Sequence, residues 1–197
     1  MSADTNTIAC LDRGYVKLES YSANEKLFAD IAWSSRGKEG NDYKRTIQTL
    51  IRQGHTGPFE ASLFVFQVKA PVFVARQWMR HRIGIGYTEL SQRYALIPAE
   101  FYCVDPLDQV VYEREYSFYR EAVELGQSLE QARRFLPIGT YTQFYCYGNL
   151  VAFMHFLELR LAKEAQAEIR EYANALDCFI STICPVTMLA WHEIKGV

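Results

Sequence analysis

The period at which apolar residues recur changes along the chain, and that change limits the folds open to it. The run from Tyr15 to Tyr21 (Tyr-Val-Lys-Leu-Glu-Ser-Tyr) and Ala61 to Lys69 alternate in the period of a half-buried strand, the second run rich in β-branched and aromatic residues. From Val110 the chain reads as helix over about 110–126, 128–134, 140–161 and 163–181, punctuated by Gly126, Pro137-Ile138-Gly139 and Pro185. Earlier, Ser22 to Trp33 reads as a helix capped by Asn24. Asn41 to Gln53 reads as another, started by Asn41 or Asp42 and stopped by Gly54. Pro71 suits the first turn of a further helix that carries Val74, Gln77 and Trp78. Residues 82–92 hold two glycines and no period, so they read as loop, and Phe101-Tyr102-Cys103-Val104 as a short strand. Few strands and several long helices define an α+β protein with a helix-rich second half.

A chain of 197 residues can bury one sizeable core, so a single domain over 1–197 is expected. The net charge of -2 argues against a general nucleic-acid binder, which carries a basic excess. No run of about eighteen apolar residues occurs, so no membrane span is expected. Met1-Ser2-Ala3-Asp4-Thr5-Asn6 has neither the basic nor the apolar region of a secretion signal, and a cytoplasmic protein is expected. Five cysteines (Cys10, Cys103, Cys146, Cys178, Cys184) without metal-ligand spacing read as reduced, mostly buried thiols. Cys146, between Tyr145 and Tyr147 on an expected helix, is the nearest to a nucleophile, and core packing accounts for it better. The histidines share no metal spacing with one another or with the cysteines, so no metal site is expected.

Chemistry concentrates at Arg80-His81-Arg82, followed after eight residues by Ser91-Gln92-Arg93-Tyr94, with Glu89 between. On a loop, such donors suit one large or two smaller phosphorylated ligands, because guanidinium groups grip phosphate oxygens bidentately. A solvated turn is the plainer alternative, but it needs none of the interleaved aromatics Trp78, Tyr87 and Tyr94. Other residues also have plain readings: Glu89 in a salt bridge to Arg82 or Arg93, Ser91 as a cap, and Arg170 paired with Glu171 or Glu164. His55 in its glycine-rich turn is a general-base candidate or a structural residue. His155, among Phe153, Met154, Phe156 and Leu157, reads as a core histidine.

The Arg-His-Arg and downstream Ser resemble the signature of the flavin-dependent thymidylate synthases, the ThyX family. Gly54-His55-Thr56-Gly57-Pro58-Phe59-Glu60 resembles that family's His-x-x-Pro-Phe-Glu turn. Phe66 to Trp78 and Ala165-Gln166-Ala167-Glu168-Ile169-Arg170 are similar to its motif-bearing segment and late helix, so the likeness spans roughly residues 12–190. The resemblance implies a ThyX-like fold, with a small antiparallel or mixed sheet, and C5 methylation of uridylate. It implies FAD as cofactor, with NADPH and 5,10-methylenetetrahydrofolate as co-substrates. Arg80, His81, Arg82, Glu89, Arg160, Glu60 and Ser34 would hold the flavin. Gln77, Arg80, Glu89, Leu90, Ser91, Gln92, Arg93, Gln143 and Arg170 would bind the nucleotide, with Arg170 beside the pyrimidine carbonyls and His55 in a supporting catalytic role. A homotetramer with shared active sites is implied as well, partnered by neither nucleic acid nor membrane.

Two departures bear on the substrate. The Arg82-to-Ser91 spacing is one residue longer than the family's seven, with Thr88 where the family carries Asn. The family's Tyr-Thr-Arg stands here as Tyr141-Thr142-Gln143, which replaces a phosphate-binding cation by an amide unless Arg133 or Arg134 compensates. The nucleotide is therefore dUMP, UMP or both. A flavin- or nucleotide-binding homologue without methylation is the alternative function.

Overall fold

The structure, a computed structural model, describes residues 6–37 and 39–196. Most of the N-terminal segment that argued against secretion therefore lies outside the described residues. The chain opens with β1 (Thr7–Cys10) and β2 (Gly14–Ser22), then α1 (Glu25–Ser34) and α2 (Tyr43–Arg52). A 3-10 turn at Gly57–Glu60 leads into β3 (Leu63–Pro71), which runs directly into the short α3 (Val72–Trp78). Next come β4 (Ile85–Glu89), α4 (Pro106–Glu124), α5 (Leu129–Ala132) and β5 (Tyr141–Gly148). Three helices complete the chain: α6 (Leu150–Arg160), α7 (Ala167–Ile183) and α8 (Pro185–Lys195). The five strands form one antiparallel sheet in the order β1-β2-β3-β5-β4.

Alternation decides which face of this sheet is covered. Val16 and Leu18 of β2, Phe64, Phe66, Val68 and Ala70 of β3, and Phe144 and Cys146 of β5 are buried on one side. There they meet Phe153 and Phe156 of α6 and Tyr172, Leu176 and Phe179 of α7 within one core. Phe66 sits edge-on to Phe153 with 5.3 Å between ring centroids, a favoured aromatic geometry. The opposite face carries the exposed Gln143, Tyr145 and Tyr147. A smaller cluster, Tyr119, Ala122 and Ala132, joins α4 to α5.

Caps fix where the helices begin. Asn24 accepts from the Leu27 N–H at 3.2 Å and Asp42 from the Arg45 N–H at 3.0 Å. α8 has no cap from its own flank. Instead the Glu25 carboxylate, on α1, accepts from the Thr187 N–H at 2.7 Å and the Val186 N–H at 3.3 Å, where the helix dipole favours negative charge. At α4, Asp105 and Asp108 form a reciprocal capping box. Asp105→Ala is expected to cost about 1 kcal/mol; urea unfolding measures it, and an unchanged midpoint would show the cap to be redundant.

The structure corrects several sequence readings. The helix expected over 140–161 is two elements: β5 to Gly148, then α6, capped by Asn149 through the Ala152 N–H at 2.9 Å. Tyr-Thr-Gln-Phe-Tyr-Cys-Tyr is rich in aromatic residues, which favour strands, and pairs with β3, which outweighs the apolar run that follows. Cys146 is thus a strand residue, fully buried, and burial raises its thiol well above the ordinary range, as core packing requires. Part of the 82–92 loop is the edge strand β4; Gly86 lies there because a Cβ would collide with the Tyr147 ring. Phe101 makes only a single bridge, to Thr140, so 101–104 is no strand. Pro71 ends β3 and caps α3 rather than entering its first turn. His155 is exposed on α6, not a core residue. β1 and α8 had no counterpart in the sequence reading.

Candidate active site

The arginine motif begins where α3 ends. Trp78 is fully buried, its ring packed against Phe156 (4.8 Å), Phe144 (5.4 Å) and Tyr172 (5.9 Å). The chain then turns sharply, the His81 N–H donating to the Trp78 carbonyl at 3.0 Å. The Tyr87 hydroxyl on β4 lies 2.7 Å from the His81 carbonyl and 3.2 Å from that of Trp78, so the edge strand pins the turn from below. Arg80 and Arg82 emerge exposed, and neither has an ion-pair partner among the described residues. His81 is half-buried, its ring 4.8 Å from that of Phe156. Burial, and after it the Arg160 cation, pushes His81 down to about 4.

A recess of about 220 Å³ opens here, lined by Arg80, His81, Arg82, Ile83, His155 and Leu159 among others. Gly84 makes it possible: at φ +73° it brings the loop across α6, where a Cβ would meet Ala152 at 2.9 Å. His155 also lines a neighbouring recess of about 260 Å³ with Gly54 and Thr56, the residues on either side of His55. Sequence reasoning missed His155. Its spacing from Leu159, one helical turn, was the available signal.

The nucleotide candidates lie at the edge of the sheet. The Glu89 carboxylate accepts from the Thr142 hydroxyl at 2.8 Å, on the helix-covered side, and does not pair with Arg82 or Arg93. Arg93 pairs with Glu130 at 2.9 Å and lies over the Tyr94 ring. Ser91 serves as a turn cap, its hydroxyl accepting from the Arg93 N–H at 3.4 Å. Leu90 N–H donates to the Gln143 carbonyl at 2.8 Å, and Gln92 follows half-buried in the same turn. Glu89, Leu90, Gln143 and Tyr145 line a recess of about 250 Å³. Arg133 and Arg134 sit on the 3-10 turn after α5, where Arg134 covers the Phe135 ring, and neither bonds to Gln143.

A third group joins from α7. The Gln77 side chain hydrogen-bonds that of Gln166, at the start of α7. Arg170, one turn on, donates to the Lys163 carbonyl at 3.0 Å and has no carboxylate partner among the described residues. The ion pair with Glu171 or Glu164 does not form, because Glu171 takes the Leu11 N–H instead. Arg160 reaches back from α6, its Nε 2.9 Å from His81 Nε2 and its Nη2 3.5 Å from the Gln77 carbonyl. Ser34, His55 and Glu60 are exposed, and among the described residues no hydrogen bond or ion pair ties their side chains to the arginine turn.

Fold and site together define a sheet-and-helix protein with guanidinium groups unpaired among the described residues, carboxamides and a half-buried imidazole, a donor set suited to an anion. Residues 17–186 match the family described as thymidylate synthase complementing protein, Thy1, and the chain belongs to that family. It is 37% identical to a flavin-dependent thymidylate synthase of Thermus thermophilus, over 95% of this chain and 78% of the relative. A flavin-dependent thymidylate synthase of Thermotoga neapolitana is also 37% identical, over 96% of each chain. Among solved structures, the UMP/dUMP methylase PolB from Streptomyces cacaoi bound with 5-Br dUMP superposes with a TM-score of 0.87. That likeness has 28% identity and covers 96% of this chain and 99% of PolB.

Proposed function

We propose that this protein methylates uridylate at C5, with FAD as cofactor, 5,10-methylenetetrahydrofolate as carbon donor and NADPH as reductant. The observation that carries the reading is the Arg80–Arg82 turn, pinned by Tyr87 and Arg160, with two unpaired guanidinium groups at the mouth of a recess. This donor set fits the pyrophosphate of a flavin dinucleotide, whose oxygens accept from fixed cations and N–H donors. A flavin held there supplies the redox chemistry. The chain's own residues supply position and charge: Arg80, His81, Arg82 and Arg160 orient the cofactor, and Glu89, with Ser34, His55 and Glu60 on the flank, completes its surroundings. Gln77 and the Leu90 to Arg93 turn hold the nucleotide, and Arg170 places a cation beside the pyrimidine carbonyls, where negative charge develops.

Gln143 is exposed on the strand face opposite the helix-packed core and lines the same recess as Glu89 and Leu90. The reading includes active sites shared between copies in a homotetramer. The exposed Tyr145 and Tyr147 on that face suit burial against a second copy.

The test is to isolate the protein, look for a yellow absorbance band, and supply NADPH, methylenetetrahydrofolate and equal dUMP and UMP. Separation by mass should show a methylated nucleotide; methylated UMP would assign the longer loop and Gln143 to an altered sugar pocket. A yellow protein that methylates neither would replace this reading with the binding homologue.

A further inference from the structure

The contact between Arg160 and His81 has a chemical consequence for the whole cluster. An arginine Nε always carries its proton and can only donate, so the His81 Nε2 at 2.9 Å must accept. A neutral imidazole that accepts at Nε2 holds its single proton on Nδ1. We propose that Arg160 is a positioning residue that locks His81 as the neutral Nδ1–H tautomer, so that the arginine turn offers a fixed uncharged donor between its two guanidinium groups.

The arginine neighbours work in the same direction. Arg80 and Arg82 flank the ring on its own turn, and Arg160 and His155 face it from α6. No carboxylate pairs with it among the described residues. The Phe156 ring packs against the imidazole at 4.8 Å, and the Tyr87 hydroxyl donates to the His81 backbone carbonyl at 2.7 Å, which holds the turn that carries the ring. A further positive charge at this point would repel all three arginines, whereas a neutral N–H adds a hydrogen bond without that penalty. Arg160 is also held below its ordinary range, by burial and then by Arg80, which shows how crowded with cations the cluster already is. The use of the donor toward an anionic cofactor rests on the function proposed above. The tautomer does not, and the experiment reads the tautomer, so the two fail separately.

The protein labelled with 15N at histidine and arginine decides it, with the His81 signals assigned by their loss in His81→Gln. Long-range proton–nitrogen correlation should show His81 as Nδ1–H, the minority form of a free imidazole. It should remain neutral down to about pH 4. At pH 6 that corresponds to roughly 1% protonation, against roughly three-quarters for a ring at its ordinary value. A scalar coupling between Arg160 Nε and His81 Nε2 should identify the donor in the wild-type protein without any substitution. Arg160→Met keeps the stem but no donor, so the ring should revert toward Nε2–H and titrate higher; Arg160→Lys, which can still donate, should keep Nδ1–H. An Nε2–H ring in the wild type, absence of the coupling, or Nδ1–H surviving in a folded Arg160→Met protein would overturn the assignment.

Discussion

Arg170→Ala is expected to lower turnover about 100- to 1,000-fold while leaving the bound flavin in place. The magnitude is that of removing one fixed donor aimed at developing negative charge. Two observations set the direction. Arg170 has no carboxylate partner among the described residues, so its charge is not neutralised within the chain. Its side chain is oriented by the Lys163 carbonyl at 3.0 Å, so the guanidinium is placed before any ligand arrives. Lysine at this position should recover only part of the loss, because a point charge lacks the planar fork. Steady-state turnover together with the flavin absorbance checks both halves. Normal turnover in the alanine protein would remove Arg170 from the chemistry, and a colourless protein would reassign it to holding the cofactor.

Trp78→Ala is expected to destabilise the fold by about 3–5 kcal/mol, through lost burial and the cavity left behind. That corresponds to a fall in Tm of roughly 10 °C for a chain of this size. Trp78 is fully buried between α6, α7 and β5, and the arginine turn starts at its carbonyl. The loss should therefore reach the site as well. Calorimetry reads the first effect, and retention of flavin at a temperature where the variant remains folded reads the second. Phe in its place should recover most of the stability; a variant as stable as the wild type would mean that the cavity collapses.

The sequence made legible what depends on local chemistry. Asn24, Asp42 and Gly54 bounded α1 and α2 to within about two residues, because caps act through neighbouring backbone N–H and C=O groups. The arginine turn was legible for a related reason: its residue types are costly to cluster without a ligand. β4 and β5 were not legible, because each becomes a strand only by pairing with a distant partner. β5 runs into the apolar α6 without a break in composition, and β4 contains a glycine whose purpose is the Tyr147 ring across the sheet. His155 was misread for a different reason. Apolar neighbours surround it in sequence, yet α6 is buried on most of its circumference, and two exposed positions, one of them the apolar Leu159, leave little amphipathic signal. The partners of Arg93, Glu89 and Arg160 are equally long-range, and only the folded chain supplies them.

The Glu25 carboxylate that caps α8 also sets an order of events during synthesis. It sits near the front of the chain, while the amides that it satisfies belong to Val186 and Thr187. α2, next to it, packs against the same terminal helix. As the chain leaves the ribosome, the first two helices can pack on each other and on Phe59, but the helix that takes the Glu25 carboxylate is not there until residues 185–195 have been made. α1 and α2 are thus committed last, and a nascent chain stalled before residue 185 would hold all five strands while α1 and α2 still exchanged with solvent.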